Sequence, residues 1–144
     1  MQVIPTKPNQ LDFEKLLNDS PLAFYTCDPH GYLTYFNKAA VALWGHTPLI
    51  GKDMWCGSLK IFYPNGSPMP LEECPMAITL KTKIAIEGRE IMIETPSKKI
   101  LNLLVFPRPV FNEEGELTGA HNTMVEISSK KREEERQAIF SAII

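Results

Sequence analysis

The sequence predicts an α+β domain in which a five-stranded antiparallel sheet carries short helices on one face and is followed by a C-terminal linker helix. Short runs of strand-forming residues alternate with turns rich in Gly, Pro and Asn. Two segments between these runs have apolar residues at helical spacing, and a charged helix-forming segment closes the chain. The length of 144 residues and the 44% apolar content suit one domain with one core.

The N-terminal part is predicted to contain an irregular lead-in and a short helix within residues 1–19. From Gln10 the spacing places the apolar residues broadly on one helix face, namely Leu11, Phe13, Leu16 and Leu17. A helix this short is marginal alone, so its apolar face must lie against another surface.

A hairpin and a second helix are predicted next. Residues 22–27 are apolar on both alternating faces, which indicates a strand covered on both sides. The turn 28–31 leads into an aromatic strand, 32–36. Asn37 is a good N-cap for the following helix, and Gly45 suits its C-terminal end.

One further helix and three strands are predicted in the second half of the domain. Residues 46–66 carry large apolar side chains without a clear period and are expected to pack inward. Pro75 suits the first position of a helix that continues to Thr82. The three strands are predicted at 84–95, where Gly88 gives either a bend or two shorter pieces, at 100–107 and at 117–127. The domain is therefore predicted to span 20–128, with the linker helix at 129–144.

Two phrases of the sequence resemble the PAS family of sensory domains. The first has the turn, strand, cap and helix pattern of that family, with matches at Asp28, Gly31, Tyr35, Asn37, Ala40 and Gly45. The second, PNGSPMPLEECPMAITLKTK at 64–83, resembles the phrase that introduces a helix in one PAS subgroup. The closing Glu126-Ile127-Ser128 is similar to the family's Asp-Ile-Thr, with two mild departures. The resemblance covers about residues 16–128.

The resemblance implies the sensory module of a bacterial signalling protein of the sensor histidine kinase type. It implies a small-molecule ligand or a protein partner as input, short helices within 46–66 that wall a small cavity, and relay through the C-terminal helix in a homodimer. The last residues resemble a linker that leads into another PAS domain, a kinase or another output domain. The residues expected to serve in dimerisation and relay are Leu11, Phe13, Leu17, Ile139 and Ile143.

A ligand pocket is expected to have mostly apolar walls with a few amides, which suits a small neutral molecule or acid. The candidate residues are Tyr25, Tyr35, Leu43, Trp44, Trp55, Ile61, Met76, Leu80, Asn102, Leu104, Asn122 and Met124, with Phe24 and Leu33 as alternatives on the first two strands. The competing interpretation is that the same residues simply fill the core. For Asn102 the competing role is a structural hydrogen bond to a loop.

Composition and missing motifs disfavour several other functions. The net charge of -2 argues against nucleic-acid binding, and no apolar run is long enough to span a membrane, so a cytoplasmic location without direct membrane contact is expected. No catalytic motif is present, so the domain is not expected to be an enzyme. Haem is disfavoured because helix 76–82 has no His, and flavin because the photosensor phrase with its reactive Cys is absent.

Three other functions remain open from the sequence. One is a purely structural PAS domain that mediates dimerisation without a ligand. Another is a PAS module attached to a cyclic-dinucleotide enzyme. The third is a covalent or redox sensor that uses Cys56 or Cys74, although the three widely spaced cysteines favour idle thiols in a reducing compartment.

Overall fold

The computed structural model describes the backbone of residues 8–55 and 60–127, with side chains described from residue 12. The helices are α1 (Pro8–Asp19), α2 (Lys38–Trp44) and α3 (Pro75–Thr82), and a 3-10 turn spans Leu71–Glu73. The strands are β1 (Ala23–Cys27), β2 (Leu33–Phe36), β3 (Lys60–Phe62), β4 (Arg89–Glu94), β5 (Ile100–Val105), β6 (Arg108–Phe111) and β7 (Leu117–Ile127).

The strands form one antiparallel sheet in the order β2-β1-β7-β5-β4-β3, and β6 pairs with β7 beside this path. The α+β fold class is confirmed, and all five expected strands are present. Two short strands, β3 and β6, join them. β6 contains Pro109, which is compatible with an edge position because proline cannot donate a ladder hydrogen bond. β4 begins only at Arg89, directly after Gly88, whose φ of 83° interrupts extended backbone.

Helix α2 has the ends that the sequence indicates. The Asn37 side-chain oxygen accepts a hydrogen bond from the Ala40 amide at 3.0 Å, which caps the N-terminus. Gly45 has a φ of 79°, and its amide donates to the Val41 carbonyl at 2.9 Å. Trp44, in the last turn, is 2% exposed and anchors the helix to the core.

The core lies between α2, α3 and the inner face of the sheet. Alternate residues of the strands point into it, including Tyr25 on β1, Leu103 on β5 and Met124 on β7. Their neighbours along each strand are only partly buried and occupy the outer face. This alternation decides which of the candidate residues reach the interior.

The segment 46–66 differs from the expectation of short helices. Residues 46–55 form turns, with an isolated bridge between Tyr32 and Met54, and β3 follows at 60–62. Residues 56–59 and the linker segment 128–144 lie outside the described residues, and with them Cys56, Ile139 and Ile143. Leu11 lies in α1, but its side chain is outside the described part. No helix of the described residues is long and apolar enough to cross a bilayer.

Candidate functional site

A small cavity lies inside the core, between the inner face of the sheet and the helices. Its volume is about 20 Å³, which is room for about one water molecule. The walls come from strands, from the end of α2 and from the start of α3. They are formed by Tyr25, Trp44, Trp55, Ile61, Cys74, Pro75, Met76, Ile91, Ile93, Leu103, Val105, Asn122 and Met124.

Polar groups are few in this cavity. Asn122 is 4% exposed; its side-chain oxygen accepts from the Phe106 amide at 3.0 Å, and its nitrogen donates to the Tyr25 hydroxyl at 3.2 Å. The indole N–H of Trp55 is buried without a hydrogen-bond partner among the described residues. A buried donor without a partner is costly, so a molecule with an acceptor atom would be stabilised at this wall.

Aromatic rings hold the walls of the cavity in place. The rings of Tyr25 and Trp44 are tilted against each other with centroids 5.5 Å apart, and Phe36 meets Trp44 edge-on at 6.0 Å. Trp55 lies directly over Gly31, where an added Cβ would stand 2.1 Å from a ring carbon. The glycine of the first turn is therefore required by this close approach as well as by its φ of 96°.

Seven of the twelve candidate pocket residues line the cavity, and five do not. Those on the wall are Tyr25, Trp44, Trp55, Ile61, Met76, Asn122 and Met124. Leu43 and Leu80 are partly buried and pack against the core without reaching the cavity. Tyr35, Asn102 and Leu104 lie elsewhere for reasons of strand geometry.

A bulge in β2 carries Tyr35 to the outer face. The register runs from Thr26 opposite Tyr35 to Cys27 opposite Leu33, so Thr34 has no partner residue of its own. The extra residue reverses the alternation, and Leu33 faces inward with 0% exposure while Tyr35 pairs with outward-facing Thr26. Leu33 was the alternative on this strand.

On β5 the inward face is the one opposite to Asn102 and Leu104, the two residues of this strand that were predicted to line a pocket. Leu101, Leu103 and Val105 are buried, and the latter two line the cavity. Asn102 and Leu104 therefore point to the outer face. β5 is apolar on both faces, so its composition alone does not reveal which side is covered.

Six residues of the cavity wall were not predicted from the sequence: Cys74, Pro75, Ile91, Ile93, Leu103 and Val105. A signal for the two isoleucines exists in the sequence, because Glu90 and Glu94 flank them at the outward positions of the same strand. Cys74 and Pro75 approach the cavity at the start of α3, where no periodic pattern marks them.

The two cysteines within the described part are buried and free of disulfides. Burial, reinforced by the Asp28 charge, raises the pKa of the Cys27 thiol to about 12. A thiol with such a pKa is protonated near neutral pH and a poor nucleophile. Cys74 lines the cavity, so it is a wall residue of the candidate site.

His121 lies on the outer face of the sheet, away from the cavity. Its ring stacks on Phe24 with centroids 5.6 Å apart, and Nδ1 is buried without a hydrogen-bond partner among the described residues. Burial, together with the Arg108 charge, lowers the pKa of His121. The position gives His121 no route to a group bound in the core cavity.

Asn37 connects α1 to the rest of the domain. Its amide nitrogen donates to the carbonyl oxygens of Leu17 at 2.6 Å and Leu22 at 2.9 Å. Its oxygen accepts from the amide of Phe24 at 3.0 Å as well as capping α2. One fully buried side chain thus joins the end of α1, the strand β1 and the start of α2.

Comparisons with known proteins agree with this architecture. The family model described as "PAS domain" matches residues 12–77. An RNA-binding light-oxygen-voltage receptor superposes with a TM-score of 0.74 at 18% identity, over 98% of this chain and 40% of that one, so the chain spans well under half of that structure. No curated protein matches the sequence.

Two solved PAS domains superpose over most of both chains. The PAS domain of an HTR-like protein from Haloarcula marismortui gives a TM-score of 0.61 at 18% identity, over 84% of this chain and 93% of that one. The PAS domain of nitrogen regulation protein NR(II) from Vibrio parahaemolyticus gives a TM-score of 0.57 at 17% identity, over 78% of this chain and 95% of that one. At these identities the likeness concerns the fold.

Proposed function

Since the chain belongs to the PAS domain family, we propose that it is the sensory module of a bacterial signal-transduction protein of the sensor histidine kinase type. In this proposal the domain detects a small molecule or a protein partner and passes the change to the linker segment 129–144. The domain itself is non-catalytic and cytoplasmic. A downstream PAS, kinase or other output domain of the parent protein acts on the signal.

The core cavity is the observation that carries the sensory role. Its walls are mostly apolar side chains, and they include Trp55, whose indole N–H is buried without a hydrogen-bond partner among the described residues, and Asn122. A small neutral molecule with one acceptor atom satisfies this donor and displaces the water that fits there. The present volume of about 20 Å³ means that a larger ligand must move the wall, and such movement is the signal.

A short route of contacts leads from the cavity to α1. Tyr25 on the wall neighbours Phe24, whose amide is bonded to Asn37, and Asn37 in turn holds the Leu17 carbonyl. A ligand shifts two states only by its differential affinity, which is typically about 1–3 kcal/mol. A shift of that size suffices to change how firmly α1 is held.

The proposed homodimer uses the exposed face of α1. Phe13 is 64% exposed and Leu16 is 67% exposed, three positions apart on one helix. Burying two such side chains against a second copy removes apolar area from water. Leu17, at the anchored end of α1, then links this contact to Asn37.

A second function, dimerisation without a ligand, is favoured by the small volume of the cavity. In that case the core is filled as it stands, and only the α1 surface and the linker segment act. Deleting residues 1–19 together with 129–144 then removes the dimer. A truncated domain that still dimerises at micromolar concentration contradicts this interface.

Native mass spectrometry of the freshly purified chain, compared with its denatured mass, tests the two functions. Excess mass that is lost on denaturation establishes a bound small molecule and supports the sensory role of the cavity. A dimer without excess mass supports the purely structural role. A monomer without excess mass contradicts both.

A further inference from the structure

A second and larger cavity lies outside the core, at the start of β4. It is an open cleft of about 540 Å³, compared with about 20 Å³ for the core cavity. That volume falls within the range of about 300–1,000 Å³ that is usual for small-molecule sites. The cleft is lined by Tyr63, Pro64, Met69, Glu73, Ile78, Arg89 and Glu90.

The cleft follows from the unequal lengths of β3 and β4. The two strands pair only as far as Phe62 opposite Met92, whereas β4 starts at Arg89. After Phe62 the chain turns away, with the Tyr63 amide donating to the Ser67 carbonyl at 2.9 Å. The start of β4 is therefore uncovered on this side, and the opening belongs to the backbone architecture.

Three charged side chains line this opening, the guanidinium of Arg89 and the carboxylates of Glu73 and Glu90. Arg89 is exposed, and no carboxylate within the described part of the chain pairs with its guanidinium. Arg108, by contrast, binds both oxygens of Glu87 at 2.9 Å. Glu73 is held in place because one of its carboxylate oxygens accepts a hydrogen bond from the Tyr63 hydroxyl.

Apolar surface completes the lining. Met69 is 7% exposed, and Ile78 from α3 and Pro64 from the turn contribute further apolar groups. The cleft thus offers a guanidinium, two carboxylates and an apolar floor. A cation alone would leave Arg89 without a counter-charge, and an anion alone would face two carboxylates of the lining, Glu73 and Glu90.

We propose that this cleft binds a small zwitterion with an apolar side chain, of the class of the free aliphatic amino acids. The ligand's carboxylate pairs with the guanidinium of Arg89, which suits a two-point contact. Its ammonium group pairs with the carboxylate of Glu73, and its side chain lies on Met69 and Ile78. The site is separate from the core cavity and does not depend on the sensory role proposed for that cavity.

A titration of the ¹⁵N-labelled chain, followed by amide chemical shifts, tests the proposal with three matched probes. These are L-leucine, 4-methylpentanoate, which lacks the ammonium group, and 3-methylbutylamine, which lacks the carboxylate. We expect leucine to shift the amide signals of residues around the cleft. Each analogue is expected to bind at least about tenfold more weakly than leucine, because each loses one charge-assisted contact.

Three variants assign the contacts. Arg89→Gln and Glu73→Gln are each expected to weaken leucine binding by about tenfold or more, since each removes one charge and keeps a polar side chain. Arg108→Gln makes the same chemical change outside the cleft and is expected to leave binding unaltered. The amide spectrum of each variant reports whether it is folded.

Several results overturn the proposal. One is the absence of cleft shifts with leucine at high millimolar concentration. Another is equal binding of leucine and either analogue. A third is an equal effect of Arg89→Gln and Arg108→Gln. Shifts confined to Leu103 and Met124 would place the zwitterion in the core cavity instead, which overturns the cleft site while supporting the sensory role.

Discussion

Replacing Asn37 with alanine is expected to lower the free energy of unfolding by about 3–7 kcal/mol, because four hydrogen bonds converge on this fully buried amide. Loss of the helix cap costs about 1 kcal/mol. The amide of Phe24 loses its acceptor, which costs about 1–3 kcal/mol where the donor is shielded from water. The carbonyls of Leu17 and Leu22 lose a donor each, at about 0.5–1.5 kcal/mol apiece.

Asn37→Asp separates the cap from the link to α1. Aspartate is also a good N-cap, so α2 keeps its first hydrogen bond. The second carboxylate oxygen, however, replaces the nitrogen that donates to Leu17 and Leu22 at 2.6 and 2.9 Å. A buried anion against two carbonyl oxygens is repelled, so this variant is expected to be at least as unstable as the alanine variant at neutral pH.

Urea unfolding followed by tryptophan fluorescence measures both losses. Asn65→Ala is the matched control, because Asn65 accepts from the Ser67 amide at 2.9 Å in an exposed turn. Its expected cost is about 0.5 kcal/mol or less. An Asn37→Ala variant that loses no more than the Asn65 control would refute the role given to Asn37.

Three further predictions concern single positions. Gly31→Ala is expected to lower the free energy of unfolding by about 2–4 kcal/mol and to alter the fluorescence of Trp55, since its Cβ would stand 2.1 Å from that ring. Gly51→Ala, at a φ of 77° and with no atom of the described residues within 4 Å of the added Cβ, should lose less stability, and equal losses would contradict the role of Trp55 packing. His121 has a lowered pKa in the folded state, so the stability of the domain should fall as the pH drops below 6.5. The urea midpoint of His121→Phe should lack this pH dependence, and the same pH dependence in the parent chain and the variant would contradict the role of His121. Cys27 should resist alkylation at pH 8 until the chain is unfolded, and equal rates of modification with and without urea would be the contrary result.

The three helices and five of the seven strands were predictable because local sequence features mark them. The Asn37 cap and the Gly45 end define α2, and Pro75 marks the start of α3, so all three appear in the structure as expected. The three tertiary hydrogen bonds of Asn37 were not predictable, because they depend on chain segments that the fold alone brings together.

The composition of the cavity wall was predictable only in part. A bulge at Thr34 places Tyr35 on the outer face of the sheet, and nothing in the local sequence marks that extra residue. On β5 both alternating sets are apolar, so the choice between Asn102 and Leu103 depends on pairing with β4. The charged Glu90 and Glu94 fix the outer face of β4, and Ile91 opposite Leu103 then places Leu103 inward.

The segments around β3 and β6 depended on tertiary context for a different reason. Both strands are short, at 3 and 4 residues, and each pairs with one other strand of the sheet, β3 with β4 and β6 with β7. Strands of this length carry too few alternating positions to give a periodic signal. Their positions follow from the neighbouring β4 and β7, which are long enough to be recognised.

The most direct test of the central claim asks whether a change inside the core cavity reaches α1. Val105→Ile adds one methylene to the cavity wall and imitates occupancy, whereas Val110→Ile makes the same change on exposed β6. Amide hydrogen exchange is measured for α1, Pro8–Asp19, in both variants and in the parent chain. Altered exchange in α1 is expected for Val105→Ile alone. Identical exchange in all three proteins would contradict the proposed link between the core cavity and α1.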